Sequence, residues 1–250
     1  MTAALLAVLL AAPAFAADDW SPRVTGVKGE VLIYPEGSDE GLPAEAGTPL
    51  EDGDRVETGK GASAELAMEP DSVVELGAKT SFTMGSTQKA DSWFSIDLGS
   101  FLGKFKSMTE RRFTVRTPTA VCAVRGTEFG VDVDEKGETM VGVFDEGKVG
   151  VSGAGEEGAE ETLLSAKSEL VFKPGQRPGR PRPLRHFKAR QGRIEHLRAR
   201  RAELRRDWKP IPPERRQEMR QDLEKGMREH LEKTPPKRRE RRRPGGKRRP

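Results

Sequence analysis

The sequence predicts an all-β core domain followed by a basic helical appendage. Three observations predict it: short runs that alternate with a period of two across residues 24–172, glycine and acidic turns between those runs, and an abrupt change of composition near residue 174. The charge follows the same division. Residues 18–172 hold 15 Lys+Arg against 30 Asp+Glu, a net charge of −15, whereas residues 173–250 hold 29 against 10, a net charge of +19. Over the 250 residues, 34% are apolar and 34% charged, lean for a chain packed throughout, so part of it is expected to carry no core.

The chain opens with an apolar run, Ala3 to Ala12, followed by Ala14-Phe15-Ala16 and the acidic Asp18-Asp19. Small residues flanking Phe15 form the pattern that signal peptidase cleaves, and the run is shorter than the roughly 20 residues a membrane span needs. Residues 1–16 therefore read as a signal peptide, and the mature protein is expected in the periplasm or secreted. No cysteine stands at the cleavage point, which argues against a lipid anchor.

Residues 17–173 read as the β domain. In TEFGVDVD, Thr127, Phe129, Val131 and Val133 share one face and Glu128, Gly130, Asp132 and Asp134 the other, which predicts a strand with acids turned to water. SAELAM repeats the logic, with Ala64, Leu66 and Met68 inward. Turns are expected at Glu51-Asp52-Gly53-Asp54, Glu135-Lys136-Gly137 and Asp145-Glu146-Gly147. About ten strands without helical periods between them predict a β-roll, sandwich or solenoid.

PGQRPGRPRP, residues 174–183, is too proline-rich for a helix and too polar for a core, so an extended linker is expected. Residues 184–233 read as a basic helical segment. Its first part keeps a thin apolar stripe at Leu184, Phe187, Ile194, Leu197, Leu204 and Trp208, and its second opens at Pro212-Pro213-Glu214, with Met219, Leu223, Met227 and Leu231 four apart. Stripes this narrow, interrupted by Gly192 and Gly226, predict helices that pack lightly or only with a partner. Residues 234–250 are dense in arginine, lack apolar residues and are expected to be disordered.

The candidate chemistry is sparse. Cys122 is the only cysteine, lies among Val121, Ala123 and Val124, and reads as a buried small hydrophobe. The histidines, His186, His196 and His230, all lie in the basic part, so no base is at hand for a nucleophile and no Cys/His spacing suits zinc. DVDEKGE at 132–138 fails as a calcium loop, because Lys136 takes a ligand position and Val143 stands where the bidentate glutamate belongs. No catalytic residue, metal or cofactor is predicted. The candidate binding residues are the tail arginines Arg180, Arg182, Arg185, Arg200, Arg201, Arg205, Arg206, Arg238, Arg239, Arg241, Arg242 and Arg243, whose guanidinium groups suit phosphates and carboxylates. These anions could equally be the domain's own acids.

GVKGEVLI at 26–33, GTPLEDGDRVETGKGASAELAM at 47–68, DSVVELGAKTSFTM at 71–84, LGSFLGKF at 98–105 and FTVRTPTAVCAVRGTEFGVDV closing with TMVGVFDEGKVGV occur in this order. On these elements residues 24–151 resemble the FecR-domain family, the extracytoplasmic module first known from iron-dicitrate sensory regulators. The resemblance implies that Val124, Arg125, Gly126, Thr127 and Phe129 form a structural signature. Gly126 would supply a bend between strands, and Arg125 could hydrogen-bond carbonyls at that corner. The founding regulators add a cytoplasmic sigma-factor-contacting segment and one transmembrane helix, and neither is expected here.

The reading that follows is a non-enzymatic binding or scaffold protein of the bacterial envelope, whose domain contacts an envelope protein or glycan. Its tail would contact lipopolysaccharide, anionic lipid or wall polymer. The alternatives are a nucleic-acid binder acting through the tail and an envelope signalling component related to sigma-factor regulation. A hydrolase built on paired acids ranks behind these.

Overall fold

The structure is a computed structural model that describes residues 20–88, 91–106, 113–155 and 161–233. The expected signal peptide and the arginine-rich end lie outside them. Among the described residues, sixteen strands join in one connected sheet. They run β1 (Arg23–Lys28), β2 (Val31–Tyr34), β3 (Leu42–Pro43), β4 (Arg55–Thr58), β5 (Ser63–Glu69), β6 (Ser72–Leu76), β7 (Ser81–Ser86) and β8 (Trp93–Lys104). Then come β9 (Phe113–Arg116), β10 (Ala120–Val124), β11 (Glu128–Val133), β12 (Thr139–Val143), β13 (Lys148–Gly153), β14 (Thr162–Ser165), β15 (Ser168–Phe172) and β16 (Arg182–Pro183). A 3-10 turn (Phe187–Arg190) leads into α1 (Gln191–Asp207), and α2 (Pro213–Lys233) follows.

Strand β8 makes this a sandwich. Its first half, Trp93 to Leu98, pairs with β7 and β9; its second half, Gly99 to Lys104, pairs with β6 and β11. The switch falls at Gly99, whose φ of +100° turns the chain from one layer into the other, where a side chain would meet Thr80. One layer is ordered β1-β5-β6-β8-β11-β12-β15-β16 and the other β3-β2-β4-β7-β8-β9-β10-β13-β14. Every pairing is antiparallel except β8 with β9.

Between the layers lies the main core, in which the alternation puts Ala64, Leu66, Met68, Phe129, Val131 and Val133 as expected. Aromatic rings knit it: Phe105 stands 4.3 Å from Phe113, and Phe94 5.4 Å from Phe101. Cys122 is buried there, and burial pushes its thiol up to about 12, where no reactive thiolate forms.

The Arg-Gly-Thr stretch is a corner between β10 and β11. Gly126 adopts φ +101°, and the Thr127 hydroxyl donates to the Glu146 carbonyl at 2.6 Å, tying the corner to the β12–β13 turn. Arg125 departs from expectation. Its side chain is exposed and makes no hydrogen bond to a corner carbonyl among the described residues, because the buried Thr127 serves that role from within. Gly126→Val is expected to cost about 1–3 kcal/mol, since a β-branched residue is strained at positive φ. Thermal unfolding of the full chain measures this, and an unchanged midpoint would show the corner to be tolerant.

The proline-rich segment is extended, but its end is not free. Arg182 and Pro183 add to β15 as β16, and from there the chain lays α1 across the outer face of β6 and β8. A second core forms beneath it from Val73, Leu102, Phe144, Phe187, Ile194 and Leu197. Helix α1 therefore does not wait for an external partner; its stripe is narrow because a sheet face needs only one line of contacts from it, whereas among the described residues α2 adds no side chain to either core.

Candidate functional site

Two glycines directly opposite each other begin the site. Gly130 on β11 pairs with Gly142 on β12, and both lie on the outer face of their layer. A Cβ on Gly130 would lie 2.6 Å from the Phe187 ring, and one on Gly142 only 2.3 Å from it. Neither position has a positive φ, so the glycines serve space and not backbone conformation. They open a notch in the sheet that the Phe187 ring fills completely, edge-on to Phe144 at 6.1 Å.

Carboxylates surround the notch, and the alternation that buries Phe129 and Val131 places them. Glu128 is 1% exposed and takes both nitrogens of the Arg198 fork, at 2.6 and 2.5 Å, with Lys104 at 3.2 Å on its other side. Burial would raise its carboxyl, but the Arg198 hydrogen bonds and the Lys104 charge outweigh that and hold it below its ordinary value. Arg198 also bridges to Asp145 at 2.8 Å and lowers that carboxyl. Asp132 accepts from Arg190 at 2.5 Å and from His186. Glu169, fully buried, accepts the backbone N–H groups of Arg185 and His186 at 2.9 and 2.8 Å and the Arg182 side chain at 3.0 Å. Burial opposes ionisation of Glu169, and these donors overcome it.

Further along α1, Arg193 pairs with Glu75, Arg200 with Glu65 at 2.7 Å, and Arg201 and Arg205 both reach Asp71 at 3.2 Å. The acids of β11 thus do not face water as the alternation suggested. Glu128 faces Arg198 of α1, and Asp132 faces His186 and Arg190 at the turn that leads into it.

Helix α2 makes a second clamp at the end of the sandwich. Arg216 donates to the Ser21 hydroxyl at 2.8 Å, the Leu50 carbonyl at 2.7 Å and the Glu51 carboxylate at 3.1 Å. Arg220 grips Asp54 with two bonds of 2.8 Å, and Asp54 is 1% exposed. Burial leaves the Asp54 carboxyl above its ordinary value even though the Glu51 N–H and Arg220 pull it down. Between the helices, Trp208 stacks under the Arg23 guanidinium at 3.5 Å. A cleft of about 730 Å³ opens beside α2, lined by Trp20, Thr87, Ile211, Gln217 and Gln221 among others.

Residues 54–150, which include both notch glycines, match the family model described as FecR protein. The chain carries a FecR domain. No curated protein matches the sequence. Two crystal structures of a candidate anti-sigma factor from Parabacteroides distasonis, at 2.50 and 1.65 Å resolution, are similar at 18% identity and a TM-score of 0.46. The alignment covers 54% of this chain and 62% of theirs, so this chain spans less than two thirds of those proteins. Among the described residues no helix is long and apolar enough to cross a membrane.

The tail arginines singled out from sequence divide into three groups around the FecR domain. Arg182, Arg200, Arg201 and Arg205 are paired with its acids. Arg180, Arg185 and Arg206 have exposed side chains. Arg238, Arg239, Arg241, Arg242 and Arg243 lie outside the described residues. Phe187, Arg190, Arg193, Arg198, Arg216 and Arg220, the residues that fasten the arm, were not on that list. For these arginines the sequence signal was the net −15 of residues 18–172 set against the net +19 of residues 173–250.

Proposed function

We propose that this protein is a non-catalytic signalling component of the bacterial envelope, related to sigma-factor regulation. Its FecR domain is the sensing and contact module, and its basic helical arm latches the outer face of that module. The carrying observation is the FecR domain itself, with a receptor notch at Gly130 and Gly142 that lies inside the matched region and is filled by Phe187 of the same chain. A surface so closely fitted to a detachable arm suits a component that changes partners. The chemistry of the site supports contact and not turnover: its buried carboxylates are neutralised by arginines, and the geometry leaves none of them beside an unpaired base.

In this reading the chain works outside the cytoplasm, and the mature protein begins at Ala17. The test is deletion of the gene in its own host, followed by transcript profiling, with fractionation and sequencing of the mature N-terminus alongside. A discrete set of genes sharing one promoter class is expected to change. Altered envelope permeability with an unchanged transcript profile would overturn the signalling role and favour a scaffold whose arginine-rich end holds an anionic polymer. The exposed Arg180, Arg185 and Arg206 support that second reading, because they remain available to an external anion.

A further inference from the structure

Among the described residues, a lysine or arginine stands directly before proline in five places, and four of them lie in one stretch: Lys173-Pro174, Arg177-Pro178, Arg180-Pro181 and Arg182-Pro183. The fifth is Lys209-Pro210, in the connection between α1 and α2. These two connectors, residues 173–183 and 208–212, hold no other basic residue. Residues 173–183 are exposed throughout, so they form the kind of segment in which proteases cut. Trypsin-like enzymes select a lysine or arginine side chain and hand a proton to the nitrogen that leaves. Where that nitrogen belongs to proline it carries the ring in place of hydrogen, and the ring also restricts the residue before it. Such bonds resist these enzymes, and both connectors are closed to them by sequence.

The first basic residue without this guard is Arg185, and there the protection is structural. The N–H groups of Arg185 and His186, the second of them the leaving nitrogen of the bond between the two, donate to the buried Glu169 carboxylate at 2.9 and 2.8 Å. Beyond lies α1, with Arg193, Arg198, Arg200, Arg201, Arg205 and Arg206, none of them before proline. A protease takes its substrate extended, so a helix must unwind before it is cut. Little besides docking keeps α1 wound. Its N-cap is Arg190 with no side-chain capping bond, its first turn has no acid and contains Gly192, and a lone helix of this length is marginal. The tight turns of the sandwich differ: Lys136-Gly137 is exposed, but it joins the paired β11 and β12 and cannot extend without breaking their ladder.

We propose that the arm is a conditional substrate of lysine- and arginine-specific proteases, closed to them at its connectors by proline and along α1 by docking, and cut within α1 once it leaves the sandwich. Hydrolysis breaks the C–N bond after an arginine; the hydroxyl of water goes to the carbonyl carbon and its proton to the departing amine. A cut after Arg193 separates Phe187 from Ile194 and Leu197, so the arm can no longer return as one piece. An intact tether would keep the arm at high local concentration beside its notch and close it again. Cleavage therefore turns a reversible undocking into a one-way step. This device goes beyond the signalling role and does not depend on it.

Limited trypsin digestion of the full chain, with fragment ends between residues 173 and 212 mapped by mass, tests both halves of the proposal. The wild-type chain should give no ends at the five basic-proline bonds and should lose α1 slowly. Phe187→Ala should speed cutting after Arg193, Arg198, Arg200 and Arg201 by about tenfold or more, because the rate follows the open population when reclosing outpaces cleavage. Pro178→Ala/Pro181→Ala alters only exposed side chains, and should admit cuts after Arg177 and Arg180 while α1 stays whole. Connector cuts in the wild-type chain would overturn the proposal, as would a Phe187→Ala chain cut within α1 no faster than wild type. So would a Pro178→Ala/Pro181→Ala chain left uncut after Arg177 and Arg180, since the connector would then owe its resistance to something other than proline.

Discussion

Phe187→Ala is expected to release the helical arm while leaving the sandwich folded, with the docked state weakened by about 3–5 kcal/mol, the usual cost of emptying a fully buried phenylalanine site. The ring is completely buried against Gly130, Gly142 and Phe144, so its loss opens a void that rigid strands cannot close. Ile194 and Leu197 are the other fully buried side chains that α1 brings to this second core. The remaining fastening is ionic, and most of it is partly exposed and therefore weak and screened by salt. The main core shares no residue with the second one, so it should keep its unfolding transition. Amide hydrogen exchange separates the two effects. Protection should fall across residues 191–207 and persist in β8, β10 and β11.

Gly142→Ala makes the complementary test, since its methyl would occupy the space of the ring and should loosen the arm too. In the Phe187→Ala background that methyl has room, so the two losses should not add. Full additivity would mean that the ring and the glycine do not share one site.

Most strands were legible because their burial is two-sided in a simple way. Leu66 and Val131 alternate with polar residues, and glycines mark the turns between such runs. The all-β class and the onset of α2 at Pro213 followed from these local signals. The location of the arm did not. Whether Glu128 and Asp132 meet water or arginine depends on pairs 58 and 70 residues apart, and no local period reports that. The opposed charges of the two halves indicated attraction but not register. Register comes from Phe187, whose partner is an absence of side chains at Gly130 and Gly142. A glycine in a strand reads equally as a bulge, a bend or a space, and here only the opposite pairing of two of them distinguishes a notch. The cross-layer path of β8 was hidden for a similar reason: twelve residues of one strand look the same whether they serve one layer or two, apart from the glycine that turns them.

Arg220→Met should cost about 3–5 kcal/mol near pH 7, because it leaves Asp54 buried without its cation. Asp54 is 1% exposed and is held by both nitrogens of the Arg220 fork, with the Glu51 N–H as its other donor at 2.9 Å. The sign of the pH dependence follows from the direction of its shift. Burial already places the folded carboxyl above its ordinary value of 3.8, so Asp54 favours the folded state at low pH, and that contribution is lost as pH rises through the folded value. Removing Arg220 takes away a charge that held the folded value down, so it rises further. At neutral pH the unfolded chain ionises Asp54 freely, whereas the folded variant must bury a bare charge or bind a proton against the solution. Below the ordinary value the group is neutral in both states, and only the hydrogen bonds are missing. The deficit relative to wild type should therefore be largest near pH 7 and shrink steadily towards pH 4. The paired carboxylates Glu128 and Glu169 titrate alike in both proteins, are distant from this clamp and cancel in the difference. Arg220→Met/Asp54→Asn should recover much of the loss at pH 7, since a neutral amide can keep the Glu51 hydrogen bond without needing a counter-charge. Denaturant unfolding at the two pH values measures the deficit, and exchange protection along residues 213–226 shows whether α2 lifts away to let water reach the carboxylate. An equal deficit at both pH values would mean that Arg220 contributes packing alone and that the buried charge of Asp54 is balanced from elsewhere.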